Sequence, residues 1–225
     1  MSVNHNQLNG MLDLLPAEQR VTKIAEHFNS SRLAISSSFG TFSAGFLHLV
    51  TKIYPEIPVL FLDTGFHFEE TLKFRDEVTE LLGLNLINLK PAVSKSQLFS
   101  ELGAEPFKSN PDRCCQVNKV DPMDLILNDY DLWISGIRSS QTSNRTNLSY
   151  LTTNIRNQTK FHPILDWTSK QVWDYLQEYE LPVHPLFEKG FTSIGCEPCT
   201  SLGSGDADDR SGRWGGDKNE CGLHL

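Results

Sequence analysis

Apolar residues fall in short unbroken runs, separated by stretches in which they recur every three or four positions. Leu33-Ala34-Ile35-Ser36 is the first run, and it passes into the small polar stretch Ser37-Ser38-Phe39-Gly40. Phe42, Phe46, Leu49, Val50 and Ile53 follow at helical spacing, which reads as strand, loop, helix. VLFLD at 59–63, LINLK at 86–90 and LWISGI at 132–137 predict three more buried strands, with a helix running through about Leu82. Residues 11–28 and 169–179 are amphipathic and predict helices, the second N-capped by Thr168 or Ser169. Strands alternating with helices imply an α/β fold with right-handed crossovers and a mainly parallel sheet. Ligands of such sheets sit beyond the carboxyl ends of the strands, where the loops 36–41, 63–67 and 138–145 fall. From Gly190 onward the periodicity stops and Gly, Asp and Cys dominate. The chain therefore divides into an α/β domain over 1–190, with the N-terminal helix and a tandem-Cys segment, and a C-terminal tail over 191–225. The tail is expected to be a flap ordered by what it binds.

The 225 residues are 39% hydrophobic, enough for one α/β core. The formal net charge of −8 opposes a bulk electrostatic grip on nucleic acid, so an anionic ligand requires a local cluster of Arg and Lys. No apolar run approaches the ~20 residues that span a bilayer, and the first ten residues, MSVNHNQLNG, lack an apolar signal core. These features lead to the expectation of a cytoplasmic protein with no nucleic-acid or membrane partner; a homo-oligomer is compatible with them. In a reducing compartment its cysteines are ligands or nucleophiles rather than disulfides.

There are five cysteines: Cys114 and Cys115 in tandem, Cys196 and Cys199 as a CxxC, and Cys221 alone. A CxxC by itself suits zinc, an iron–sulfur cluster or a redox disulfide. Adjacent side chains on a helix diverge by about 100°, so tandem thiolates reach one ion poorly. A cubane has irons at separate corners, and CC…CxxC therefore favours [4Fe–4S] over a zinc knuckle. Lys119, four residues after Cys115, falls on the same face if this stretch is helical, and is then either a cation turned toward the cluster or an anion, or an ordinary solvated lysine. Asp121-Pro122 reads as the N-cap and first residue of a new helix. Cys221 lies in Glu220-Cys221-Gly222-Leu223-His224, too near the chain end for a core role. Gly222 gives its backbone freedom, and His224, Arg210 and Arg213 would supply the positive surroundings a thiolate needs. Glu220 opposes this unless it points away.

Ser36, Ser37, Ser38, Phe39 and Gly40 join a strand to a helix, where backbone N–H groups and hydroxyls cradle phosphates, although Ser-rich helix caps look the same. The Gly-Lys-Ser/Thr ending of a Walker loop is missing. Arg138, Gln141 and Arg145 follow the fourth strand, and paired arginines there suit either bidentate phosphate recognition or surface ion pairs.

Together SSSFG (36–40), LDTGFHFEET (62–71), CCQVNKVDPM (114–123), GIRSSQTSNR (136–145), HPILDW (162–167), HP (184–185), GCEPCT (195–200), RSGRW (210–214) and ECGLH (220–224) resemble the adenylyl-sulfate (APS) and phosphoadenylyl-sulfate (PAPS) reductases of sulfate assimilation, in their cluster-bearing form. The resemblance implies an adenine-nucleotide α-hydrolase-like fold and a [4Fe–4S] cluster on Cys114, Cys115, Cys196 and Cys199, with Cys221 as nucleophile. It implies that the Ser loop and Asp63-Thr64-Gly65 hold the nucleotide and that Lys119, Arg138, Arg210 and Arg213 surround the phosphosulfate. Thioredoxin or a glutaredoxin-like dithiol would be the reductant. Asn118 stands where cluster-bearing members usually have Arg, Ser201 where they often have Arg, and Gly215 and Gly216 where aromatics are common. SSSFG and NKVDPM look more like the cluster-free enzymes that use the 3′-phosphorylated substrate. Reduction of PAPS, an iron–sulfur tRNA-thiolating enzyme and a non-catalytic zinc nucleotide-binding protein are the competing readings. The missing SGGxDS loop and the acidic charge oppose thiolation.

Overall fold

The computed structural model describes residues 4–154, 157–203, 210–216, 218 and 220–223. Among them six strands form one sheet: β1 (Leu33–Ser36), β2 (Pro58–Leu62), β3 (Asn85–Leu89), β4 (Leu132–Ser135), β5 (Leu151–Thr153) and β6 (Thr159–Phe161). Their order is β3-β2-β1-β4-β6-β5, every pair parallel except β5 with β6. The chain builds outward from β1 to β3, then returns to place β4 on the other side of β1. A crevice opens at such a switch point, beyond the carboxyl ends of β1 and β4.

The helices are α1 (His5–Asp13), α2 (Ala17–Ile24), α3 (Ser43–Thr51), α4 (Glu69–Leu82), α5 (Lys95–Leu102), α6 (Pro106–Ser109), α7 (Pro111–Cys115), α8 (Asp121–Leu127) and α9 (Ser169–Glu178). Side chains alternate across the sheet, and the alternation divides the core in two. Leu33, Ile35, Val59, Phe61, Leu132 and Ile134 face one layer, with Leu8 and Leu12 of α1, Val21 and Ile24 of α2, Leu47 and Val50 of α3, Phe74 and Val78 of α4, and Val172 and Leu176 of α9. Ala34, Leu60 and Trp133 face the other, with Met123 and Leu127 of α8 and Leu223 of the C-terminal tail. Burial at about 25 cal/mol per Å² of apolar surface makes these two layers the main source of stability.

The parallel sheet and the four expected strands are observed, and α9 begins with a capping box in which Thr168 and Gln171 bond reciprocally. Three expectations need correction. The helix expected over 11–28 is two helices, because Pro16 cannot lie inside one and instead caps α2. β5 and β6 were not anticipated; each has three residues, too few to show a period. Asp121 does not cap a new helix: α7 runs through a π-helical turn at Gln116–Val120 directly into α8, and the Asp121 carboxylate accepts from Gln116 Nε2 at 2.6 Å. Among the described residues no helix is long and apolar enough to cross a membrane.

Candidate active site

A cavity of about 250 Å³ opens at the switch point. Ser36, Ser37, Ser38 and Gly40 form one wall, and Thr41, Phe42 and Ser43 continue it into the start of α3. No side chain caps α3; the Ser43 N–H donates to the Gly40 carbonyl at 3.1 Å, and the start of the helix gives that wall a positive end. Gly136, after β4, must be glycine for this wall to stand: a Cβ there would lie 2.7 Å from Phe46 Cγ of α3. Arg138, Gln141 and Arg145 form a second wall, and Lys119, Cys196, Arg210, Arg213, Trp214, Glu220 and Cys221 a third. Thr64 also reaches the cavity.

Other expected residues lie elsewhere. Phe39 is fully buried, edge-on to Phe61 with centroids 5.6 Å apart, so its side chain belongs to the core. Asp63 Oδ1 accepts from the Gly65 N–H at 3.1 Å, and Gly65 takes φ +69°; the pair makes the turn and does not line the cavity. His224 lies outside the described residues. Arg138 donates to Ser169 Oγ at 3.0 Å, which ties it to the start of α9. Arg145 gives the Nε–Nη2 edge of its guanidinium to both Glu220 oxygens, at 2.7 and 2.8 Å, and both side chains are 6% exposed. Glu220, set against the thiolate by sequence reading, is thus turned onto Arg145.

The tail is held beside the sheet by specific pairings. Cys196 bridges His67 in antiparallel fashion, and the Glu197 N–H donates to the Phe66 carbonyl at 2.7 Å. Thr200 then pairs with Arg213, and the Ser201 N–H donates to the Gly212 carbonyl at 2.8 Å, which folds the RSGRW stretch back over the CxxC. Arg213 lies directly on Gly195, where a Cβ would meet its guanidinium at 2.1–2.4 Å, and donates to Thr200 Oγ1 at 2.8 Å.

Four cations surround Trp214, which sequence reading did not single out as a site residue: Arg213 at 4.8 Å, Lys218 at 5.5 Å, Arg210 at 5.6 Å and Lys119 at 5.9 Å from its centroid. An indole face stabilises cations that would otherwise repel one another. Burial pushes Arg210 down to about 10, with the charges of Arg145 and Arg213 adding to the effect and Glu220 and Cys221 opposing it. Burial would lower Lys119 too, but thiolate charge at Cys196, Cys221 and Cys115 outweighs it and holds the ammonium above its usual range. Lys119 therefore stands between the nucleophile candidate and the thiol group.

Sequence reading also missed His67. Its Nε2 faces the Leu62 carbonyl at 2.8 Å and so carries the proton, while Nδ1 is buried without a partner among the described residues. Arg213 Nε and Trp214 Nε1 are likewise buried without partners among the described residues. All three residues line the cavity, and two of these atoms are donors. The signal for Trp214 was an aromatic among arginines; His67 lies inside LDTGFHFEET, but nothing in that run singles it out.

Behind Lys119 a smaller cavity is lined by Cys114, Cys115, Cys196 and Cys199, all free thiols. Burial first, then neighbouring thiolates, pushes Cys114 and Cys199 up to about 11. Those two keep their protons until a metal displaces them, whereas Cys196, which burial alone would raise, is held below the usual thiol range by Lys119, the Thr64 hydroxyl and Arg213. Asn118 Nδ2 lies 3.6 Å from Cys114 Sγ and Thr64 Oγ1 3.4 Å from Cys196 Sγ, the kind of outer contacts that support ligand sulfurs. Among the described residues no three His, Cys, Asp or Glu side chains close on a single ion position. Four thiols lining one cavity are a donor set that fits a [4Fe–4S] cluster.

The chain is 37% identical over 223 residues to an adenosine 5′-phosphosulfate reductase of Geobacillus sp. (strain WCH70), covering 98% of this chain and 92% of that one. It is 41% identical over 199 residues to a phosphoadenosine 5′-phosphosulfate reductase of Gloeobacter violaceus, covering 86% and 83%. The fold matches a crystal structure of phosphoadenylyl-sulfate (PAPS) reductase from Candida auris with a TM-score of 0.77 at 23% identity, over 89% of this chain and 99% of that one. Residues 32–202 match the phosphoadenosine phosphosulfate reductase domain, and the chain belongs to that family.

Proposed function

We propose that this protein is a sulfonucleotide reductase of sulfate assimilation, which takes sulfite from adenosine 5′-phosphosulfate through Cys221. The observation that carries the reading is a lone thiol opening on the same cavity as a Ser-rich loop and a cation cluster. The names of the relatives support it, as do two buried donors, on Arg213 and Trp214, that lack partners among the described residues in a cavity suited to an anion.

In this mechanism the Cys221 thiolate attacks the sulfur of the bound substrate. A new S–S bond forms, the S–O bond to phosphate breaks, and AMP leaves with the electron pair. Lys119, Arg210 and Arg213 stabilise the charge that builds on the leaving phosphate. The S-sulfocysteine left at Cys221 is reduced by a dithiol, thioredoxin or a glutaredoxin-like protein. The dithiol is oxidised to a disulfide, sulfite departs and the thiol is restored. Cys114, Cys115, Cys196 and Cys199 would hold a [4Fe–4S] cluster, which when bound supplies a fixed field beside Lys119. No electron need pass through it. The cytoplasm is the compartment that suits free thiols.

A second reading, use of the 3′-phosphorylated nucleotide alone or in addition, is favoured by the 41% identical relative, named for that substrate. Anaerobic sulfite release from each nucleotide with a thioredoxin system tests both. Cys221→Ser should bind nucleotide yet release no sulfite. A stable sulfonate adduct formed by that variant, or sulfite release from neither nucleotide by the wild type, would refute the reading.

A further inference from the structure

Glu220 and Leu223 flank Cys221, and each is held by a buried cation on the far half of the sheet. On one side Arg145 grips both Glu220 carboxylate oxygens, at 2.7 and 2.8 Å, and Thr142 Oγ1 adds a third donor at 3.2 Å. Gln141 Oε1 accepts from Arg145 Nη1 and from the Arg138 N–H, which fixes the guanidinium. On the other side Lys160, 2% exposed and 4.6 Å above the Trp133 ring, donates to the Leu223 carbonyl at 3.3 Å. The Leu223 side chain fills the layer with Met123, Leu127 and Trp133, and Cys221 packs against the same group. Between the anchors Gly222 takes φ +83°, a left-handed turn that favours glycine.

We propose that Arg145 and Lys160 are positioning residues that clamp the tail on either side of Cys221 and so fix its sulfur at the cavity. This replaces the expectation that Arg145 binds substrate, and it rests on Cys221 being the nucleophile. An untethered chain end presents its thiol at only about millimolar effective concentration. A thiol held in attack geometry behaves as if at about 10⁵ M or more. Two anchors within four residues provide that restraint. The Glu220 carboxyl would rise on burial, but Arg145, with Arg210 and Thr142 assisting, holds it below the usual carboxylate range, so the pair stays charged.

The test separates the clamp from turnover. The rate at which iodoacetamide alkylates Cys221 in the native holoenzyme is read by mass spectrometry of the C-terminal peptide. Wild type, Glu220→Gln and Lys160→Met are compared, with circular dichroism to confirm folding. Each variant should raise the rate at least about tenfold, corresponding to 1.4 kcal/mol of lost anchoring. In the sulfite assay kcat should fall about tenfold or more, while KM for the nucleotide changes less than about threefold. Glu220→Asp, which keeps the charge, should restore part of kcat. Alkylation within twofold of wild type in both folded variants would overturn the clamp. Faster alkylation with unchanged kcat would overturn its role in positioning. Absence of wild-type turnover would count against the proposed function alone, since the alkylation comparison still judges the clamp.

Discussion

Trp133 Nε1 donates a 2.7 Å hydrogen bond to the hydroxyl of Ser36, which ties β4 to β1 at the mouth of the cavity. Ser36 was expected to hold nucleotide by resemblance, yet its hydroxyl serves the sheet. Ser36→Ala should therefore cost stability, about 1 kcal/mol for a buried hydrogen bond, which lowers Tm by roughly 2–4 °C in a chain of this size. KM for the nucleotide should change less than about threefold. A large rise in KM with Tm unchanged would return Ser36 to the substrate.

Gly195→Ala tests the seat of Arg213. The new Cβ would lie 2.1–2.4 Å from guanidinium atoms, so the flexible end of Arg213 must move off Thr200 and Trp214. Displacement of a charge-stabilising group by about 1 Å costs on the order of 10²-fold in rate. We expect kcat/KM to fall by that order with the fold intact by circular dichroism. Near-normal kcat/KM would show that Arg213 is not used where it stands.

These sites show what the sequence could and could not reveal. The central strands were legible because LAIS and PVLFL are apolar on both faces of a sheet covered on both sides. The cysteine grouping was legible because ligand spacing is local. Lys160 was not, because a lysine in a three-residue strand reads as solvated. Arg145 was expected to bind substrate phosphate or to make a surface ion pair; the anion it grips is Glu220, 75 residues along the chain, and no local pattern encodes that pairing. Phe39 was placed in the loop that it does occupy; its side chain turns into the core at φ +47°, a reversal that spacing does not encode.

Asn118 stands one turn after Cys114, with Nδ2 2.8 Å from the Cys114 carbonyl oxygen and 3.6 Å from its sulfur. Hydrogen bonds of this kind hold a ligand in place and are worth about 10–100-fold in metal affinity. Asn118→Leu, nearly isosteric, should yield protein with less iron per chain, whose brown absorption bleaches faster in air. Iron content and bleaching rate are read without assaying turnover. Iron content and bleaching equal to wild type would remove Asn118 from the support of Cys114.

His184 makes folding sensitive to mild acid. It is 1% exposed, and its Nδ1 accepts from the Leu186 N–H at 3.2 Å. The ring proton therefore sits on Nε2, directed to Thr71 Oγ1 at 3.0 Å, and a second proton would point at an N–H. Burial pushes its pKa down to about 4, with Glu70 opposing weakly. The unfolded chain, near 6.5, therefore binds the proton first. Stability from the neutral ring is fully present above about pH 6.5 and is lost as pH falls toward 4, up to about 3 kcal/mol. His162, held down to about 3 by burial and by Lys160 and Arg145, acts in the same direction. Urea unfolding between pH 7.5 and 5 should show the loss. His184→Asn keeps an oxygen that can accept from the Leu186 N–H but does not titrate. Its slope against pH should be shallower by as much as about 1.4 kcal/mol per pH unit, one proton's worth. Parallel curves for the two proteins would mean that His184 is already protonated in the fold, or exposed, and would sink the assignment.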